Sequence, residues 1–382
     1  MNILESFERK ILELFKPLLT LLLRTLKHSL IMIEFRIRHF QHKLLKENYN
    51  PNTKKLIIFL TPAHDIVNGG ILSISSIYEE TIKLKHIHEA EVILCTIPGG
   101  QPLLRYTKFS NLNYIYEFSK VLPYFENIQE LMVHIPEYLI EQFLRNISNE
   151  DYFKLDKIKN VHFNVMLQNI KLLPDNSQEH FKELKKLGKV TCTTAHEQYS
   201  TLEIRKKLDI PLHKLSVYAS PEQYDRKSYT KKENLLIVSP DNHPKKIGVL
   251  DLIRKQFPQL KILIIKNLTY GEYKEVISRA KWALTFGEGL DGYFVETIFS
   301  GGISFAVYNS EFFTDDFKFL RTIYDNYETL IKKICSDISD LGNMETYTEY
   351  QNNLYALCSS YYNYKVYLKN IELFYKRRYT HG

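Results

Sequence analysis

Short apolar runs recur along most of this chain, each followed by a loop and then by a stretch with helical spacing. Lys54-Lys55-Leu-Ile-Ile-Phe-Leu60 is the first; Glu91–Thr96, Leu131–His134, Val161–Met166 and Val190–Thr194 follow. After a link near Lys214–Lys232 the pattern restarts with Leu235–Ser239, Leu260–Ile265, Trp282–Phe286 and Ile303–Tyr308. Runs this short, apolar on both faces, suit parallel strands buried between helices. Parallel neighbours need a long crossover, and the helical stretches Ile71–Lys85, Gln198–Leu208, Ile247–Phe257 and Tyr270–Arg279 supply it. The expected class is therefore α/β, with two successive parallel-sheet domains. The expected division is a helical segment 1–48, a first domain 49–213, a second domain 214–345 and a helical tail 346–382.

Charge places the partners. The 382 residues carry 51 Lys+Arg and 44 Asp+Glu, a formal net charge of +7, and 44% of them are hydrophobic. That composition excludes disorder, collagen and a coiled-coil rod. Residues 1–47 hold nine basic and five acidic residues, and 365–382 hold five basic and one acidic, which leaves 48–364 at −1. A near-neutral body argues against a nucleic-acid channel, so no nucleic-acid partner is expected. Basic ends point to an anionic surface.

The front segment 3–47 reads as an amphipathic helix, with Ile11, Leu12, Leu14, Phe15, Leu18, Leu19, Leu22 and Leu23 at three- and four-residue spacing and Pro17 as a kink. Its longest uncharged run, Pro17–Leu23, has seven residues, whereas a span needs about 20. Interleaved Arg36, Arg38, Lys43 and Lys46 fit a helix lying in the interface of an anionic membrane. Packing on a neighbouring domain or a second chain yields the same pattern. The tail aromatics Tyr361, Tyr362, Tyr364, Tyr367, Phe374 and Tyr375 suit either the headgroup level or a helix packed back over the domains. No secretory signal is read at the start, and four cysteines (95, 192, 335, 358) without metal-ligand spacing fit reduced thiols. The expected location is cytoplasmic, peripheral at the inner face of a membrane.

Two loops carry chemistry. Gly69-Gly70 stands between the first strand and its helix, where backbone N–H groups can approach an anion. The second is Phe286-Gly-Glu-Gly-Leu-Asp-Gly-Tyr-Phe-Val-Glu-Thr-Ile-Phe-Ser-Gly-Gly302, a Gly-rich turn from strand to helix. Glu288 and Glu296 have seven residues between them. From the loop Glu288 can accept from sugar hydroxyls, and two turns down the helix Glu296 can accept from a ribose diol. Capping is the plainer alternative, with Glu288 or Asp291 taking the helix N–H groups. His134 and His196 fall at the edge where ligands bind in such sheets.

These motifs together resemble the retaining glycosyltransferases of the GT-B fold, in particular the family 4 group, over roughly residues 55–310. The shared features are Gly69-Gly70 after the first strand, then Glu288, seven residues, Glu296, then Gly301-Gly302 before a strand. The resemblance implies two facing Rossmann-like domains and a nucleotide-sugar donor held mainly by the second. Glu296 would hold the ribose. Lys245 or Lys246, with the loop Gly289-Leu290-Asp291-Gly292, would bind the diphosphate. Glu288 would position the sugar, Gly69-Gly70 would close over it, and His134 would stand beside it. The implied reaction is retaining hexosyl transfer to a saccharide or lipid-linked acceptor in surface polysaccharide biosynthesis. No metal and no cofactor beyond the donor are expected. One departure stands out, because the family's phosphate-binding Arg corresponds to Pro240 here. That motivates an alternative, a non-catalytic nucleotide-sugar or glycan binding protein. A dinucleotide enzyme is disfavoured, since no Gly-x-Gly-x-x-Gly follows the first strand.

Overall fold

A computed structural model describes residues 26–66, 69–108, 113–215 and 221–382, with the side chain of Glu197 excepted. The Ile11–Leu23 stripe and Pro17 lie outside the described residues. The front helix is described over 26–48.

The first sheet has seven strands: β1 Lys55–Thr61, β2 Glu91–Thr96, β3 Ile115–Glu117, β4 Glu130–Pro136, β5 Asn160–Leu167, β6 Lys189–Thr194 and β7 Leu212–Lys214. All pairs are parallel, in the order β3-β2-β1-β4-β5-β6-β7. Helices cover both faces, which is why β1 is buried from Leu56 through Thr61. The second sheet holds β8 Glu233–Val238, β9 Lys261–Ile264, β10 Ala280–Leu284, β11 Ile303–Val307 and β12 Ile323–Tyr324. Its order is β12-β11-β10-β8-β9, again parallel. The α/β class follows directly, with one Rossmann-like layer system after another.

Strand order also locates the crevices. The first sheet reverses direction at β1 and β4, the second at β8 and β10. Loops leaving such neighbours part to opposite faces and open a cleft beyond the strand C-termini. The three strands with no signal in the sequence are β3, β7 and β12. Each has two or three residues and each ends its sheet. A strand of two or three residues is too short to show as an apolar run, even though most of its residues are buried here.

The tail ties the halves together. Helix Met344–Tyr361 lies on the second domain, where the Tyr347 hydroxyl donates to the Lys281 and Gly301 carbonyls, 3.0 Å each. Helix Tyr364–Tyr375 crosses to the first domain. There Tyr367 bonds Ser76 at 3.1 Å and Tyr375 bonds Thr81 at 2.9 Å. Tyr362, Tyr367 and Phe374 are buried against protein, while Tyr361, Tyr364 and Tyr375 are half-buried. Burial against another helix and burial in a bilayer select the same side chains. In the front helix Leu44 and Leu45 are buried and Gln41 donates to the Ile115 carbonyl at 2.8 Å. Before that anchor, Leu26, Leu30, Ile31, Met32, Ile33, Phe35 and Phe40 are 42–65% exposed. Among the described residues, no helix is long and apolar enough to cross a membrane.

Candidate functional site

The loops after β5 and β6 meet those after β10 and β11, and the loops after β1 and β4 stand behind them. Gly69 and Gly70 open helix Gly69–Lys83, and the Gly70 carbonyl accepts from Gln168 Nε2 at 2.9 Å. Glu137 is the first residue past β4 and is wholly buried. Its Oε1 accepts from the Asn169 N–H at 2.8 Å, and its Oε2 has no partner. Asn169 Nδ2 then donates to Glu288 Oε1 at 2.8 Å, across the cleft. Gln198 Nε2 reaches the Phe313 carbonyl at 2.9 Å, and Lys171 pairs with Glu311 at 2.8 Å. Burial pushes the Glu137 carboxyl up to about 7, against the pull of the Asn169 and Gln168 amides. Burial also raises Glu288, less so because Asn169 donates to it.

On the second domain Glu296 sits on helix Gly292–Phe299, 3% exposed. Burial lifts its carboxyl to about 8, and Lys274 only partly offsets this. The Tyr270 hydroxyl is 3.4 Å from Glu296 Oε2. A Cβ at Gly292 would stand 3.0 Å from Glu296 Oε1, so the glycine keeps the approach open. Gly289 has φ +90°, and a Cβ there would meet Phe313 at 2.5 Å. Only glycine fits that turn against the β11 loop.

Several expected residues take other roles. Asp291 is the N-cap of Gly292–Phe299, accepting from the Phe294 N–H at 3.0 Å and from the Thr285 hydroxyl. Its side chain therefore caps the helix, and burial raises it to about 7. Leu290 is a buried anchor of the loop. Lys246 is buried with its ammonium on the Ser239 and Asp241 carbonyls, at 2.6 and 2.9 Å. It pins the loop Pro240–Lys245. Lys245 is exposed, with Glu328 at 3.8 Å. Behind it the ring of His243 stacks on Tyr327 at 3.7 Å.

His134 is not brought to the cleft. It lies inside β4, 2% exposed, stacked on Phe59 at 4.1 Å. Its nitrogens meet Asn164 Nδ2 and the Tyr375 hydroxyl, 3.0 Å each. The reason is register, since β4 runs two residues beyond His134, to Pro136. That shift carries His134 into the sheet and sets Glu137 at the edge. His196 does reach the domain seam, its ring 5.5 Å from Phe312, and burial lowers it to about 4. Glu137, Gln168, Asn169 and Tyr270 were not singled out in the sequence. Pro136 was the available signal, because the residue before a proline is held extended, which carries the strand on through Ile135. Among the described residues, no group of three or more His, Cys, Asp or Glu is set to hold a metal ion.

No protein-family model matches this chain, and no curated protein sequence does. Solved structures do. The E. coli trehalose-6-phosphate protein bound with UDP-2-fluoro glucose superposes with a TM-score of 0.51 at 7% identity, covering 83% of this chain and 99% of that one. The fold is GT-B. At this identity the likeness concerns fold alone. UDP-GlcNAc 2-epimerase from Neisseria meningitidis, bound to UDP-GlcNAc, gives 0.47 at 11% identity, covering 85% of this chain and 100% of its own. A DNA-modifying β-glucosyltransferase, solved with and without uridine diphosphoglucose, gives 0.44 at 16% identity, with coverages of 84% and 100%.

Proposed function

We propose that this GT-B chain moves a sugar from a nucleotide-sugar donor to a saccharide or lipid-linked acceptor, with retention at the anomeric carbon. The observation that carries the reading is the pair Glu288 and Glu296 at the mouth of the second domain. One faces the first domain through Asn169, and the other is buried under Tyr270 beside Gly292. In this reading Glu296 receives the ribose diol once Tyr270 swings away. Two hydroxyls donating to it favour its ionised form. Lys245 and the amides of Ile247 and Gly248 receive the diphosphate. They suit it because helix Lys246–Gln256 begins without a side-chain cap, unlike Gly292–Phe299. Neutralising the departing phosphate lowers the barrier to breaking the anomeric bond. The acceptor then enters on the face the phosphate leaves, which preserves configuration.

The exposed apolar stretch 26–40, with Lys27, Arg36 and Arg38, supports docking on an anionic membrane, with a lipid-linked acceptor of surface polysaccharide assembly. Anionic liposomes should co-sediment the chain, with binding lost at high salt; binding only to neutral lipid would count against this. A second reading, a non-catalytic nucleotide-sugar binder, is favoured by Pro240 in place of Arg and by Lys246 being held in its own loop. Assaying a panel of UDP-, GDP- and dTDP-sugars for hydrolysis and transfer separates the two. Turnover lost in Glu288→Ala supports transfer. Binding without turnover, indifferent to that change, supports the binder.

A further inference from the structure

Glu137 is the one fully buried acid at the cleft that the reading above leaves unused. Burying a carboxyl oxygen with no hydrogen-bond partner is costly, and such atoms call for an explanation. Here the other oxygen is committed to the Asn169 N–H at 2.8 Å, which fixes the carboxyl plane and leaves Oε2 open. Asn169 is equally constrained. Its Oδ1 accepts from the Lys171 N–H at 3.0 Å, so its NH2 group is directed at Glu288.

We propose that Glu137 and Asn169 form the first-domain half of the subsite for the transferred sugar, opposite Glu288; this rests on the donor reading given above. In this reading the Asn169 amide stands where a sugar hydroxyl belongs. A hydroxyl donates and accepts at once, so one can enter between them, accepting from Asn169 Nδ2 and donating to Glu288. A second hydroxyl meets Glu137 Oε2. The chemistry selects a neutral polyol over a phosphate. Two carboxyl groups repel an anion, and Lys171 beside them is paired with Glu311. Because the residues come from both domains, the sugar completes the contact that now joins them, and closure becomes sensitive to the sugar and not only to the nucleotide.

The test is calorimetry on the full chain with UDP, GDP, UDP-glucose and UDP-N-acetylglucosamine. Asn169→Ala and Glu137→Gln should each weaken the sugar nucleotide that the wild type binds by about tenfold. Affinity for the matching free nucleoside diphosphate should not change. Asn169→Asp, which sets a second carboxylate against Glu288, should lose more. Melting curves accompany each variant. If Glu137→Gln fails to fold, Asn169→Ala decides alone. Equal losses for sugar nucleotide and free diphosphate, no loss, or a wild type that gains nothing from the sugar would overturn the subsite. A wild type that binds no nucleotide would instead end the donor reading, and the subsite with it.

Discussion

Two regions bury titratable side chains, and they treat them in opposite ways. Beneath the tail helix Tyr364–Tyr375, His134, His162 and His213 surround Phe374 at ring distances of 5.6, 6.2 and 5.9 Å. Their nitrogens find partners. His134 meets Asn164 and Tyr375, His162 meets Thr191 at 2.8 Å, and His213 meets the Asn370 carbonyl at 2.7 Å and Thr380 at 3.1 Å. At the cleft, Glu137 leaves an oxygen unpartnered, whereas Glu296 has the Tyr224 and Tyr270 hydroxyls beside it, Tyr270 at 3.4 Å. A satisfied network specifies packing, whereas a buried acid short of donors is a candidate for a functional role.

The largest way to break this contrast is Phe374→Ala. It empties a site lined by three histidines and should cost about 3–5 kcal/mol of stability. Chemical denaturation measures it. Nucleotide affinity of the folded fraction should stay put. If binding falls and stability does not, the seam is part of the site.

Glu296→Ala is the complementary change. It should weaken nucleotide binding by roughly 1–3 kcal/mol, the scale of hydrogen bonds left unmade. Unchanged affinity by calorimetry would remove Glu296 from the ribose.

This contrast also marks what the chain discloses before folding. Strands of four residues or more were legible through their apolar runs, most of them buried on both faces and β9 an exposed edge. β3, β7 and β12 were not, being short edges. Glu288 and Glu296 were singled out through local spacing on one loop and helix, and their donor roles are proposals. Glu137 and Asn169 were not, because one follows β4 and the other β5, and only strand pairing brings them together. His134 was misplaced by two residues of strand length. Composition cannot tell where a tyrosine will be buried, so the tail looked suited to a membrane as much as to the seam.

pH should separate the regions with opposite signs. The seam histidines sit below their ordinary 6.5, His162 at about 4 and His134 well below, because burial favours the neutral ring. Their stabilisation is complete above the unfolded value and is lost as pH falls from 6.5 through 4. The cleft acids sit above their ordinary values, Glu137 at about 7 and Glu296 at about 8. Their contribution is full below the unfolded carboxyl value and disappears as pH rises through 7 to 8. Melting temperature should therefore fall on both sides of a maximum. Glu296→Gln should flatten the alkaline limb and spare the acid one, and His162→Gln should do the reverse. A single variant flattening both limbs would show that the two regions titrate as one.

The smallest expected effect tests which cation serves the cleft. Lys246 is spent on the Ser239 and Asp241 carbonyls, while Lys245 sits at the uncapped start of its helix, half exposed and 3.8 Å from Glu328. An exposed charge at a helix N-terminus is screened and contributes modestly. Lys245→Ala should weaken free nucleoside diphosphate by about 0.3–1 kcal/mol at low salt and by less as salt rises. Lys246→Ala should act differently, lowering the melting temperature by freeing the loop Pro240–Lys245 whether or not nucleotide is present. A large, salt-insensitive loss in Lys245→Ala would mean that the cleft closes over this lysine and desolvates it. A null result in both variants would leave the diphosphate to backbone amides alone, and would strengthen the reading of a chain that binds a nucleotide sugar without turning it over.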